Sequence, residues 1–312
     1  MLEAIKNRRS IRTYNNKKVE EEKIKEILNE RKEDVAASEI NAVDLSHRER
    51  VIVEEYERLS PHLIFEIIRR DGIEELLRPA KSLIFSGIAA GVVITFSFFC
   101  MALLQSVLPH EAWMPLIAKW GYTIGFILVI LGRMQLFTEN TITTVVPICK
   151  PFSTQKLIFL LRLWIIVLVS NLIGTALASS FLTLPQVVSP AITAELQSIA
   201  NHVAHFTATE NILRGIPSGI LIAAIVWMMP SARNFSFFII AFFTYFIALG
   251  DFTHIVVGSA EMFYAVLSDK ASMYDYFFRF LLPTGLGNII GGTGVFTLLI
   301  YAQINSELEV KE

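Results

Sequence analysis

The chain has 312 residues, of which 53% are hydrophobic and only 18% charged, with a mean hydropathy of +0.52. That balance belongs to a polytopic membrane protein rather than a water-soluble one. A formal net charge of -2 excludes a general basic field for nucleic acid, and two cysteines, Cys100 and Cys149, make neither a disulfide framework nor a metal set.

The charge is unevenly placed: 17 of the 27 Lys and Arg residues precede Ser82. Residues 1–47 read as a soluble cytoplasmic segment and linker, with no cleavable signal peptide. Residues 48–80 carry a helical pattern of apolar and charged positions, expected as amphipathic helices on the cytoplasmic side. They can lie along the membrane surface or against the bundle itself. After Arg78-Pro79 the apolar spans begin. Crossing the hydrocarbon takes about 20 apolar residues as a helix. Six spans are expected within a channel domain of 81–302: 81–105, 120–148, 157–182, 209–230, 235–263 and 278–302, the second and fifth of them broken. A tail, 303–312, follows. Lys150, Lys156 and Arg233 fall in the second and fourth connections, whereas 183–208 has no Lys or Arg. The positive-inside rule then puts both termini in the cytoplasm of a cell whose inner membrane the chain crosses repeatedly.

Three phrases recur in order in the two halves. Gly87-Ile88-Ala89-Ala90-Gly91 matches Gly215-Ile216-Pro217-Ser218-Gly219, Leu131-Gly132 matches Leu249-Gly250, and Asn171-Leu172-Ile173-Gly174 matches Asn288-Ile289-Ile290-Gly291. Three spans per half is an odd number, so the second half enters the bilayer upside down. The expected fold is therefore an all-α polytopic membrane protein with an inverted 3+3 repeat and a site between the halves. Breaks in spans 2 and 5 survive only where backbone is buried in protein or lines water. They point to one conduit.

The fifth span ends in Leu249-Gly250-Asp251-Phe252-Thr253-His254, with Glu261 one stretch on. Ionisable residues at membrane depth are costly and mark solute paths. His254 is thus the expected centre of a pore, since an imidazole gains and loses a proton near neutral pH. The second span breaks at Gly132-Arg133 and continues through Phe137, Thr138, Glu139 and Asn140. Arg133 and Asp251 stand at equivalent repeat positions, so they either pair across the pseudo-two-fold or face separate vestibules. Glu210 and Arg214, four apart on span 4, share a face and can pair. His202 and His205 are candidate cationic funnel residues.

Leu136-Phe137-Thr138, His254 and Gly287-Asn288-Ile289-Ile290-Gly291-Gly292 together resemble the formate/nitrite transporter family, over about 220 residues from Arg78 to Tyr301. The resemblance implies a ring of five identical subunits, each with its own pore in an aquaporin-like fold. It implies apolar constrictions on either side of a central histidine, here His254. A Phe and a Thr from the span-2 loop, here Phe137 and Thr138, would stand near it. It carries no cofactor and no enzymatic activity. The expected solute is a small monovalent anion or its conjugate acid, protonated at His254. The chain departs from the family pattern where a vestibule lysine becomes Val203, an asparagine becomes Gly219, and another asparagine becomes Glu261. These departures leave a pore for small neutral solutes or water as the alternative. Residues 1–28 separately resemble the start of FMN-dependent nitroreductases, whose phosphate-holding motif would be Arg8, Arg9, Ser10 and Arg12. A membrane-tethered flavin enzyme is the third reading.

Overall fold

The computed structural model describes residues 59–149 and 153–308. Among these residues every regular element is a helix. Helix α1, Pro61–Leu77, begins where the Ser60 hydroxyl accepts from the Leu63 amide and Pro61 takes the first position. Its buried side is Ile64, Phe65, Ile68, Gly72 and Leu76. A Cβ on Gly72 would lie 2.0 Å from the Thr143 carbonyl oxygen. This side of α1 is therefore pressed against the bundle, and Leu63 and Leu77 stay exposed on the other. Arg78-Pro79 ends the helix, since proline disfavours helical backbone in the residue before it.

Five helices are long and apolar enough to cross a membrane: α2 (Ala80–Val107), α3 (Met114–Leu131), α6 (Thr154–Leu182), α8 (Ala208–Ala232) and α11 (Asp275–Asn305). The rest of the second expected span is α4 (Phe137–Thr143) and α5 (Val146–Cys149). The fifth expected span is two shorter apolar helices, α9 (Ser236–Leu249) and α10 (Ile255–Leu267). Helix α3 starts six residues before the expected 120, through a tight turn at Lys119–Tyr122. The connection 183–208 holds a helix that the hydropathy pattern did not suggest, α7 (Pro190–Ala204), capped by the Ser189 hydroxyl. Helix α11 widens into π-helical turns at Asp275–Leu281 and Ile290–Thr297.

Small residues let α2 meet α6 and α8 meet α11 at backbone distance. A Cβ on Gly91 would sit 2.2 Å from the Asn171 carbonyl oxygen, and one on Gly219 2.3 Å from that of Asn288. These glycines are 128 residues apart and the asparagines 117, so the two contacts are the same contact made twice. Behind them lies a core of Leu83, Ile94, Phe98, Phe126, Leu163, Val167, Ile222 and Phe280. Phe235, Phe238 and Phe242 of the aromatic run face outward.

Candidate transport site

Helices α3 and α9 stop in the same way. The Gly132 amide bonds to the Leu128 carbonyl and the Met134 amide to the Val129 carbonyl; the Gly250 and Phe252 amides repeat this on Phe246 and Ile247. The residue that turns the chain back is Arg133 in one half and Asp251 in the other, with φ of 51° and 49°. This left-handed backbone normally selects glycine. The chain then runs extended to Leu136 (φ -107°, ψ 128°) and to His254 (φ -115°, ψ 125°) before α4 and α10 begin. Leu136 and His254 are thus repeat partners, a relation their side chains hide.

One buried asparagine holds each return. Asn171 Oδ1 accepts from the Phe137 amide at 2.9 Å, and its Nδ2 donates to the Gly87 and Gln135 carbonyls. Asn288 Oδ1 accepts from the Ile255 amide at 2.9 Å, and its Nδ2 donates to the Gly215 and Thr253 carbonyls. Backbone that would be orphaned at this depth is satisfied by these amides.

The two returns meet at one hydrogen bond, Thr138 Oγ1 to His254 Nε2, 2.7 Å. His254 is 2% exposed and caps α10: its Nδ1 accepts from the Val257 amide at 3.3 Å. A nitrogen that accepts carries no hydrogen, so the cap fixes the tautomer. Nε2 holds the proton and donates it to Thr138. Phe126 meets the ring edge-on at 5.0 Å.

Separate cavities open on the two sides. The first, about 340 Å³, is lined by His254, Gly258 and Glu261 of α10, Asp251, Lys119 and Tyr122 of α3, and His202 of α7. The second, about 390 Å³, is lined by Leu136, Glu139, Asn140 and Arg133, with Asp71 and Glu75 of α1.

Arg133 and Asp251 therefore do not pair; each faces its own cavity. Asp251 is bound instead by Lys119, Nζ to Oδ1 at 2.9 Å, with His202 Nε2 at 3.7 Å from Oδ2. Lys119 stands in the vestibule from which Val203 withdraws the expected lysine. Hydropathy could flag it only as a lone charge in an apolar helix. Glu210 and Arg214 do not pair either. Glu210 accepts from the Thr207 amide and hydroxyl, whereas Arg214 donates to the Asp251 carbonyl and lies over the Phe206 ring at 4.4 Å. His202 lines the first cavity and His205 does not; the His205 ring meets the Asn201 carbonyl instead. Phe137 is buried edge-on against Trp164 and lines neither cavity. Asn140 lines the second cavity and donates to Gln135 Oε1 and to the Leu136 carbonyl. Gln135 in turn donates to Glu75 at 2.8 Å, tying the turn to α1, a link no motif announced.

On α1, outside the spans, Arg69 and Arg70 hydrogen-bond Glu66 and pull its pKa down from 4.5 to about 2. Asp71 is shifted upward, chiefly by burial.

The formate/nitrite transporter profile matches residues 62–302. An inner membrane protein of Escherichia coli, YfdC, is 40% identical over 248 residues, covering 80% of each chain. The formate channel FocA of Haemophilus influenzae is 27% identical over 245 residues, covering 68% of this chain and 84% of its own. A solved pentameric formate channel with formate bound shares the fold at 20% identity with a TM-score of 0.62, covering 72% of this chain and 97% of its own. A solved ion channel of the same family does so at 18% identity and 0.64, covering 78% and 98%. The Haemophilus relative and both solved structures are channels by name. The flavoprotein-like motif at Arg8, Arg9, Ser10 and Arg12 lies outside the matched and the described residues, and the flavin-enzyme reading gains no support. The protein is a membrane protein, and its chain belongs to the formate/nitrite transporter family.

Proposed function

We propose that this protein moves small monovalent weak-acid anions, of formate or nitrite size, across the inner membrane through a pore in each subunit of a homopentamer. The observation that carries the reading is the Thr138–His254 hydrogen bond, placed between a cavity lined by His254 and one lined by Leu136. The positive connections favour a cytoplasmic side for the Arg133 cavity and both termini, and an outer side for the Lys119 cavity.

Stripping water from a small anion in the apolar stretch between the cavities is costly, and its neutral acid crosses far more readily. His254 supplies the proton at that point. In the capped form it is a hydrogen-bond donor and not an acid. Taking a proton on Nδ1 releases the Val257 amide and makes the ring an imidazolium. That Nδ1 proton then passes to the anion, while the Nε2 proton stays in its bond to Thr138 and fixes the ring plane, and the neutral capped form returns. Asn171 and Asn288 hold the two returns in place, and Asp251 and Arg133 set the charge of the two mouths. Glu261 lies on the outer wall and Asn140 on the inner; Phe137 anchors its turn against Trp164.

A neutral-solute pore is the second reading, favoured by the neutralisation of Lys119 by Asp251. Uptake into liposomes separates the two. Formate, nitrite, acetate, lactate and hydrosulfide are compared with glycerol-driven swelling, in wild type and in His254→Asn. Anion uptake that rises with external acidity in wild type and goes flat in the variant supports the proton-donating histidine. Swelling in glycerol with no anion uptake in wild type rejects it.

A further inference from the structure

The outer cavity contains two carboxylates, and they are not equivalent. Asp251 is bound to Lys119. Glu261 is 6% exposed, lines the cavity, and has no hydrogen bond or ion pair to any described residue. It lies on the wall that carries His254: His254, Gly258 and Glu261 all line the cavity, at positions i, i+4 and i+7 of one helix face. At 1.5 Å per residue, the carboxyl's backbone is about 10 Å outward of the ring's. Between them Gly258 adds no side chain to the wall.

Resting on the reading above, we infer that Glu261 is the outer proton-holding group that reloads His254. After the ring has handed its proton to a solute anion, Nδ1 is capped again by Val257. The Nε2 side is closed by Thr138. A new proton must therefore enter at Nδ1, displacing the Val257 amide, from the outer cavity that His254 lines. The carboxyl of Glu261 gives its proton through water in the cavity to His254 Nδ1, becoming a carboxylate while the ring becomes an imidazolium. The imidazolium protonates the anion, and the carboxylate takes its replacement from external water. Asp251 is ill-suited to this role because its carboxylate is already bound to Lys119. The other titratable groups facing the cavity are Lys119 and Tyr122 from α3, Asp251 from the turn, and His202 from α7. Helix α2 contributes only Met101 and Gln105. Tyr276 of α11 meets α10 at Ser259, and α6 meets it through Ser179. A Glu at this position also refuses permanently charged anions: when ionised it repels them, and when protonated it has nothing to give that they can keep.

The test is formate and nitrite uptake into liposomes with a trapped pH dye, for wild type, Glu261→Gln, Glu261→Asp and His254→Asn, each checked for intact assembly by its elution volume. Lowering the external pH by one unit should speed wild-type uptake by up to about tenfold, and Glu261→Gln by less than about twofold. Glu261→Asp keeps a carboxyl and should regain most of the response. A Glu261→Gln profile that superimposes on wild type, while His254→Asn is flat, overturns the proton-holding role and leaves the histidine reading standing. Wild type that moves no anion overturns both. Should Glu261→Gln not assemble, a Glu261→Asp response that is flat also overturns the proposal.

Discussion

Arg133 and Asp251 take the same left-handed backbone, φ 51° and 49°, at the same step of the two broken segments, yet face different cavities. A residue with a side chain is held here at a strain of order 1–2 kcal/mol. Arg133 is exposed and has no ion pair among the described residues, so glycine can replace it without breaking one. Arg133→Gly is expected to stabilise by roughly 0.5–1 kcal/mol, and Arg133→Val to destabilise by more than about 1 kcal/mol, since β-branching resists this region. Thermal unfolding in detergent measures both. Equal midpoints for the two variants would mean that the turn relaxes freely.

Asn171 and Asn288 are each fully buried and each satisfy three backbone groups. Alanine at either position strips the return of its bonds to the amide and to the Gln135 or Thr253 carbonyl, at about 1–3 kcal/mol per group. Aspartate keeps the acceptor and sets a carboxyl against two carbonyls. Asn288→Asp is therefore expected to assemble less well than Asn288→Gln, and Asn171 should show the same order. The fraction eluting as intact oligomer is the measurement. Different orders at the two sites would break the equivalence of the halves.

Lys119 and Asp251 give opposite signs. Removing the cation by Lys119→Ala leaves a carboxylate uncovered in the outer cavity and should slow anion uptake. Asp251→Asn frees the lysine and should speed it. Each effect is about threefold to tenfold at low ionic strength and fades as salt shortens the screening length to about 3 Å near 1 M. Initial uptake rates across a salt series check this, and salt-independent differences would assign the changes to folding instead.

The Glu66 pair predicts a pH dependence for α1. Its folded pKa, about 2, lies below the ordinary 4.5. Depression of a carboxyl means stability that is complete above 4.5 and is lost as pH falls toward 2. Glu66 is 30% and Arg70 74% exposed, so solvent screening reduces the contribution to about 1 kcal/mol. Glu66→Gln should expose the α1 amides to hydrogen exchange faster than wild type near pH 6, with the difference shrinking below pH 4.5. A constant difference would mean that helix propensity, not charge, is responsible.

The all-helical membrane fold and the residues that gather in the candidate site were legible because each rests on local chemistry. Runs of apolar residues mark the spans, and Asn-x-x-Gly and Leu-Gly phrases mark where backbones meet or turn. An ionisable residue in an apolar run marks the site. Lys119 was not legible, since its partner Asp251 is 132 residues away and only the folded chain brings them together. Helix α7 was hidden for a different reason. Its Ser189-Pro190 start is a good cap, but 183–208 is too polar to read as a span and reads as a connection. Of the two readings of Arg133 and Asp251, the one that gives each its own cavity holds, because repeat partners in inverted halves are carried to opposite sides of the centre, not toward each other. Leu136 escaped notice as the partner of His254 because equivalence lies in its backbone, φ -107° against -115°, and not in its side chain.

Thr138 is the residue on which the site converges, and its two single-group variants are informative. Thr138→Val keeps the shape and removes the hydroxyl, leaving the His254 Nε2–H buried without an acceptor at about 1–3 kcal/mol. The ring then either turns out of its α10 cap or stays with its donor unmet. Thr138→Ser keeps the oxygen and loses one methyl, at about 1 kcal/mol or less. Uptake of the transported anion is expected to fall at least about tenfold in Thr138→Val and to stay within about threefold in Thr138→Ser. Imidazole nitrogen shifts measured by NMR report the cause directly. In wild type and Thr138→Ser the Nδ1 resonance should be that of an unprotonated acceptor, and in Thr138→Val the tautomer should be mixed. Unchanged uptake with an unchanged tautomer in Thr138→Val would show that the Val257 cap alone orients the ring, and that the 2.7 Å bond between the two returns is incidental to transport.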